Sequence, residues 1–264
     1  MDIFKKNLAP MPNSAWEEIN ERAEDVINSM LTTRKSLKVN GPFGLDKTMV
    51  ASGRLNLVKN SIKENVKIGL YDIKPLLETR INFELSRWEL DNILRGAKDI
   101  DLENLEKAAH ELALFEEEVI YNGLKEANIK GLVNEAGHRM SLNNDSQDIL
   151  DKISDAVFTL KKSYVSGPFN LIVSKDLYKA LNKIHGAKIL RDLVKSIIGG
   201  NVYLSEVING GLLLPLNHDD IEFTIGQEYT VGYENHNEKD IKLFIMNSFT
   251  LRVLDPNILV YYSF

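Results

Sequence analysis

The 264 residues suffice for one large domain or two closely joined ones with an extensive core, which excludes a small disulfide-stapled scaffold. Thirty-eight acids against 32 lysines and arginines leave a net charge of -6, so no global field draws the chain to nucleic acid. The absence of cysteine excludes disulfide frameworks, zinc–thiolate sites, iron–sulfur clusters and thiol catalysis.

No window approaches about 18 consecutive apolar residues, and Met1-Asp2-Ile3-Phe4-Lys5-Lys6 lacks the basic-then-apolar order of a signal peptide. The expectation is a cytoplasmic protein that engages no membrane. In chain order, Ser14-Ala15-Trp16-Glu17 has the form of a capping box. Behind it Trp16, Ile19, Ala23, Val26, Ile27 and Met30 recur at steps of three and four, which predicts an amphipathic helix with Trp16 in the core. Leu55 and Leu57, then Val66, Ile68 and Leu70, alternate about a polar turn at 59–65 and predict a hairpin. Alone it has too few large side chains to cover itself, so a neighbouring subunit is expected to do so.

The stretch from Arg80 to Glu89 reads as strand-like, with the Trp88 ring at a surface or interface. Asp101 caps a second predicted helix over 102–127, roughly 39 Å long at about 1.5 Å per residue, with Leu105, Ala108, Leu112, Phe115 and Val119 on its stripe. Within it Glu116-Glu117-Glu118 reads as a solvated face. Small polar residues at 141–147 then introduce another rhythm: helix 148–163, strand 169–173, helices 175–184 and 189–198, and strands 202–204 and 212–216. This looks like a small α/β unit inserted into the chain. The tail returns to β rhythm from Leu243 to Val253, turns at Asp255-Pro256-Asn257 and ends in a strand at 258–262.

Catalytic signatures are missing: there is no nucleophile elbow, P-loop, H-E-x-x-H or dinucleotide-binding glycine pattern. Glu135-Ala136-Gly137-His138 has the E-x-x-H spacing of di-iron bundles, but it has no second copy and Gly137 disfavours helix, so it reads as a surface loop. Glu106 and His110 read as an exposed pair.

Several stretches together, in order and nearly end to end, resemble the encapsulins, shell proteins of bacterial and archaeal nanocompartments once grouped with linocin-type bacteriocins. They are the arm from Phe4 to Pro10 followed by Trp16, Gly41-Pro42-Phe43-Gly44, Arg87-Trp88-Glu89-Leu90-Asp91-Asn92, Phe115 to Ile120, Gly226-Gln227 with Gly232-Tyr233-Glu234, and Leu243-Phe244-Ile245. The resemblance implies an α+β, tailed-phage capsid-like fold. Residues 1–40 would form the arm and a lumen-facing helix, 41–140 a peripheral domain with an extended loop at 48–73 and the spine helix, 141–220 an axial domain, and 221–264 a return to the peripheral domain. It further implies a non-enzymatic subunit that closes with itself into an icosahedral shell of about 60 copies or more.

In such a shell the first helix and a peripheral strand receive the C-terminal tail of a cargo protein, such as a ferritin-like iron-storage protein or a dye-decolorising peroxidase. The residues matched to that role are Ile27, Met30, Leu31 and Arg34 with Tyr229, Val231, Gly232 and Tyr233. More apolar positions on the first helix than one buried stripe needs are expected to leave some open to the lumen. Asn182, Lys183, His185, Gly186, Ala187 and Lys188 match a pore loop at the fivefold axis. No cofactor is required, and some members carry a flavin, FMN or FAD, which here would stack on Trp88 with Arg80 for its phosphate. A phage major capsid protein shares the fold, and a flavin-binding oxidoreductase accessory to iron storage is the enzymatic alternative.

Overall fold

The computed structural model describes residues 2–58, 63 and 65–264. After an arm with a 3-10 turn (Lys6–Leu8), α1 (Asn13–Met30) leads to β1 (Val39–Asn40), the hairpin β2 (Met49–Val58) and β3 (Ile68–Pro75), β4 (Leu77–Ser86), α2 (Arg87–Leu94) and α3 (Glu103–Asn122). The single turn α4 (Leu132–Glu135) and β5 (His138–Ser141) precede α5 (Ser146–Lys162), β6 (Phe169–Val173) and α6 (Lys175–Leu181). The short pair β7 (Ile184–His185) and β8 (Lys188–Ile189) comes next, then α7 (Leu190–Ile198), β9 (Val202–Leu204) and β10 (Gly211–Pro215). β11 (Ile221–Ile225), β12 (Thr230–His236), β13 (Asp240–Val253) and β14 (Val260–Ser263) follow.

Two five-stranded sheets organise these elements. The first runs β1-β11-β13-β12, with β4 joined to β13 from Asp240↔Ser86 to Phe249↔Leu77. Its odd-numbered positions Phe83, Leu85, Val231, Tyr233, Leu243 and Ile245 share one face, as a period of two requires. Ile19, Ala23 and Ile27 of α1 and Leu105, Ala109 and Leu112 of α3 pack onto that face, so one apolar layer ties both helices to the sheet. The second sheet runs β5-β14-β10-β6-β9, and every residue of β6 and β10 is buried. Ile149, Ile153 and Leu160 of α5, Leu177 of α6 and Val194 of α7 share its core.

Several local expectations change. Pro12, extended at φ -74° and ψ 161°, caps α1, while Ser14 lies inside the first turn with its Oγ buried and unpaired, so no capping box forms. Trp16 is core, as its place on the stripe requires. Leu102, not Asp101, is the N-cap of the spine helix; Asp101 stands one residue earlier, its Oδ1 accepting from Glu103 N–H at 3.0 Å. That helix stops at Asn122, giving 20 residues and about 30 Å, because Gly123 at φ +91° crosses Gly131 at φ +81°. A Cβ on Gly131 would lie 2.4 Å from the Gly123 nitrogen, so only glycine fits this crossing.

The hairpin is longer than its alternation suggested, pairing Met49↔Pro75 through Val58↔Ile68; most of its predicted turn, residues 59–62 and 64, lies outside the described residues. The strand through Arg80 ends at Ser86 and Trp88 is helical. α6 stops at Leu181, three residues short of the predicted end, and the chain turns back as the β7–β8 pair. The last strand joins the second sheet, with β14 between β5 and β10, and does not return to the first. Glu135 pairs with Lys130 at 3.1 Å and His138 lies on β5, so the E-x-x-H spacing has no helical face.

Candidate functional site

Where α1 passes β12 a cleft of about 310 Å³ opens, floored by Ala23, Ile27, Val231 and Ile245 and rimmed by Asn20, Glu24, Asn28, Arg34, Glu228 and Tyr229. Val231 and Ile245 are register partners on adjacent strands, which puts their side chains together against the α1 stripe. A floor of four apolar side chains under a polar rim suits an extended peptide that places one or two apolar groups inward.

Arg34 builds the end wall. Its Nε and Nη2 bond the two oxygens of Glu116 at 3.0 and 3.1 Å, its Nη1 reaches Glu228 at 2.6 Å, and its guanidinium lies 4.8 Å from the Tyr229 ring centre. Burial works against the charge on Arg34, but Glu116 and then Glu228 outweigh it and hold the guanidinium protonated beyond its ordinary range. Glu116 is fully buried and also accepts from Asn247 Nδ2 at 2.8 Å. Glu228 in turn accepts from Tyr229 N–H at 2.9 Å, fixing the loop that carries the ring. Burial, with Glu116 adding to it, pushes the Tyr229 phenol well up.

Beside this wall Glu117 accepts from the backbone N–H of Thr32 at 2.9 Å and of Thr33 at 2.8 Å, and from the Thr32 hydroxyl, which also meets Tyr121. It thereby closes the end of α1 onto the spine. Burial raises the Glu117 carboxyl despite the opposing bonds from Thr32 and Thr33. Glu116 and Glu117, at 0% and 2% exposure, are therefore not a solvated face. They stand three and four residues after Ala113 and four and three before Ile120, inside the apolar stripe, a periodic signal that their charge obscured.

The residues matched to cargo capture divide. Ile27, Arg34, Tyr229 and Val231 meet at the cleft. Leu31 is buried and does not line the cleft, while Val26 and Met30 are the half-buried apolar positions of α1, so fewer apolar side chains stay open than the helix pattern suggested. At Gly232 a Cβ would lie 2.2 Å from the Phe244 ring, so the glycine makes room for the chain's own aromatic. Tyr233 is buried, its hydroxyl meeting His236 and its N–H donating to the Phe4 carbonyl at 2.8 Å. Phe4, which sequence reasoning used only for its resemblance, stacks on Phe244 at 6.3 Å.

At the β7–β8 tip His185 pairs with Lys188 about Gly186 and Ala187, and Gly186 takes φ +61° with open space around it. Asn182 closes α6, Lys183 Nζ donates to Asn144 at 2.7 Å, and Ile184 is 77% exposed. Trp88 is 71% exposed with the Arg95 guanidinium 5.8 Å from its ring centre. Arg80 lies six residues down β4 from Ser86, about 20 Å away, and rests 4.1 Å over the Phe244 ring. The two residues expected to share a flavin are therefore not brought together, and Trp88 offers its stacking face beside Arg95. Among the described residues no group of His, Asp and Glu could hold a metal ion, and no helix is long and apolar enough to cross a membrane.

The hairpin presents a different surface. Leu55, Leu57, Leu70 and Tyr71 are 52%, 73%, 63% and 81% exposed, an apolar array with nothing of the chain's own laid over it.

Comparison with known proteins joins these features. The chain is 30% identical over 253 residues to the type 1 encapsulin shell protein of Mycobacterium tuberculosis, with 95% of each chain covered. It is 28% identical to that of Rhodospirillum rubrum, over 97% of this chain and 94% of the relative. The fold matches the virus-like particle from Pyrococcus furiosus with a TM-score of 0.71 at 20% identity, covering 94% of this chain and 99% of that one. It matches the capsid of the Myoviridae phage XM1 with a TM-score of 0.58 at 14% identity, covering 88% and 90%. The architecture is thus the α+β tailed-phage capsid-like fold. The family model described as encapsulating protein for peroxidase, linocin M18, matches residues 1–250, and the chain belongs to this family of encapsulin shell proteins.

Proposed function

We propose that this shell subunit holds its cargo by the cleft between α1 and β12, into which the C-terminal tail of an encapsulated enzyme lays one or two apolar side chains. The observation that carries the reading is the cleft itself, with Ala23, Ile27, Val231 and Ile245 as an apolar floor beneath the charged rim of Arg34, Glu228 and Glu24. A short extended tail pays an ordering cost for little buried area, so one contact is weak and retention comes from many sites facing the same lumen. The cargo is an enzyme of the peroxidase class, in keeping with the description of the family model. A ferritin-like protein, with the shell serving iron storage, is the second candidate.

Around an icosahedral fivefold axis the β7–β8 tips would form a pore in which Lys183 and Lys188 become rings of positive charge, with His185 beside Lys188 on the same turn. Shortening this tip should speed entry of small ions into loaded shells, whereas unchanged uptake would place the gate elsewhere.

Ile27→Asp and Tyr229→Ala test the cleft. Both leave the hairpin intact and should assemble into closed shells, Ile27→Asp at some cost in subunit stability because Ile27 is 4% exposed, while the amount of co-purifying peroxidase falls at least about tenfold. Full loading of both variants would put cargo capture on another surface.

A further inference from the structure

The groove beside α1 continues past the cleft. At Asn20 the cleft meets a second, more open compartment of about 500 Å³ lined by Lys6, Met11, Trp16 and Glu17. The N-terminal arm walls this compartment and is tied down by the Phe4–Phe244 stack and by the bond from Tyr233 N–H to the Phe4 carbonyl.

The two ends of the groove differ in the charge they can offer. At the Ile27 end the cation, Arg34, is taken up by Glu116 and Glu228, and Glu24 adds a further acid, so no positive charge is left for an incoming anion. The Trp16 end carries Lys6, its ammonium 5.2 Å from the Trp16 ring centre and in no salt bridge among the described residues. Burial lowers the Lys6 pKa, countered in part by Asp2, which marks an ammonium short of solvent.

We infer that the groove is directional: it takes an extended tail with the C-terminal carboxylate at Lys6 and an apolar side chain in the cleft at Ile27 and Val231. This rests on the cargo reading and deepens it, because a tail brings a terminal carboxylate that an internal segment lacks. Trp16 and Ile27 stand eleven residues apart on α1, about 16 Å along its axis. An extended strand covers that length in about five residues. The anchoring apolar residue of the tail therefore lies about five residues before its end. At Lys6 the carboxylate makes a charge-assisted hydrogen bond to an ammonium already partly removed from water. Glu17 lines the same compartment and repels the incoming carboxylate.

The test uses whole shells co-expressed with a dye-decolorising peroxidase bearing its own C-terminal tail, and with the same peroxidase lengthened by a few C-terminal glycines and serines. Lengthening moves the carboxylate beyond Lys6 and should lower the peroxidase held per wild-type shell by at least about tenfold. Lys6→Gln should lower loading of the unmodified peroxidase to a similar level without further reducing the lengthened one, and Glu17→Gln should raise loading. Equal loading of both peroxidases by wild-type shells, or Lys6→Gln shells as full as wild type, overturns the direction. Should Lys6→Gln fail to assemble, the two peroxidases compared in wild-type shells decide alone. Normal loading of Ile27→Asp shells, or wild-type shells that take neither peroxidase, would instead overturn the cargo cleft and this direction with it.

Discussion

The second sheet and the hairpin both carry branched and aromatic side chains on their strands and have opposite fates. Every residue of β6 and β10 is buried under α5, α6 and α7, whereas β2 and β3 contain no buried residue among those described. At about 25 cal/mol per Å² of apolar surface removed from water, the first region is stabilised within one chain and the second only when another chain covers it. In a subunit of a shell, the exposed Leu57 and Tyr71 mark the hairpin as the surface expected to assemble the particle, and the buried sheet as what folds the chain.

The largest effect follows from removing the assembling region alone. Deleting residues 53–69 should leave a folded, monomeric subunit with its thermal transition nearly unchanged and should abolish closed particles, as read by electron microscopy and native mass spectrometry. Shells of normal size from that deletion would mean that the exposed hairpin is not what neighbours cover.

Arg34→Ala attacks the folding side of the comparison. It leaves Glu116 buried without its two-armed cationic partner, and losing one member of a buried pair costs about 3–5 kcal/mol. Because the guanidinium also backs Glu228 and the Tyr229 ring, cargo loading should fall together with subunit stability, measured by denaturant unfolding of the hairpin-deleted monomer. A stability loss below about 1 kcal/mol would show that Glu116 finds another partner. Gly232→Ala is a smaller disturbance on the opposite face of the same sheet. The added methyl meets the Phe244 ring, which must shift under Phe4 and Arg80, so a cost of about 1–3 kcal/mol is expected in the same assay.

These variants also mark which parts of the molecule were legible in its sequence. Apolar periodicity located α1, the spine, the hairpin and most strands, because each buries a regular stripe or face. It failed where geometry depends on partners distant in the chain. Ser14 had the sequence of a capping box, yet Pro12 capped the helix instead; Gly123 ended the spine early because it had to cross Gly131. β14 was legible as a strand, but nothing local told which sheet it would join. At the site, Ile27, Arg34, Tyr229 and Val231 converge as matched, while Gly232 and Tyr233 serve the chain's own packing against Phe244 and Phe4. The acids Glu116 and Glu117 are buried because their position on the stripe outweighs their charge.

Glu117 gives the finest test of that last point. Its carboxyl is raised above its ordinary value, burial being the main cause, so the folded chain holds a proton there more readily than the unfolded one does. For a carboxyl raised on folding, the ionised form costs stability at neutral pH, and that cost is relieved as pH falls from neutral toward the ordinary carboxylate range. Glu117→Gln should hold the same contacts, its Oε1 accepting from Thr32 and Thr33 N–H and its amide donating to the Thr32 hydroxyl, which can then donate to Tyr121. The variant should therefore equal or exceed the wild type in stability at neutral pH, and the gap should narrow or reverse on acidification as the wild type recovers. A denaturant midpoint series of the hairpin-deleted monomer across that range measures it. A gap that instead widens in favour of the variant as pH falls would mean that the three donors from Thr32 and Thr33 outweigh burial and that Glu117 is held ionised in the fold.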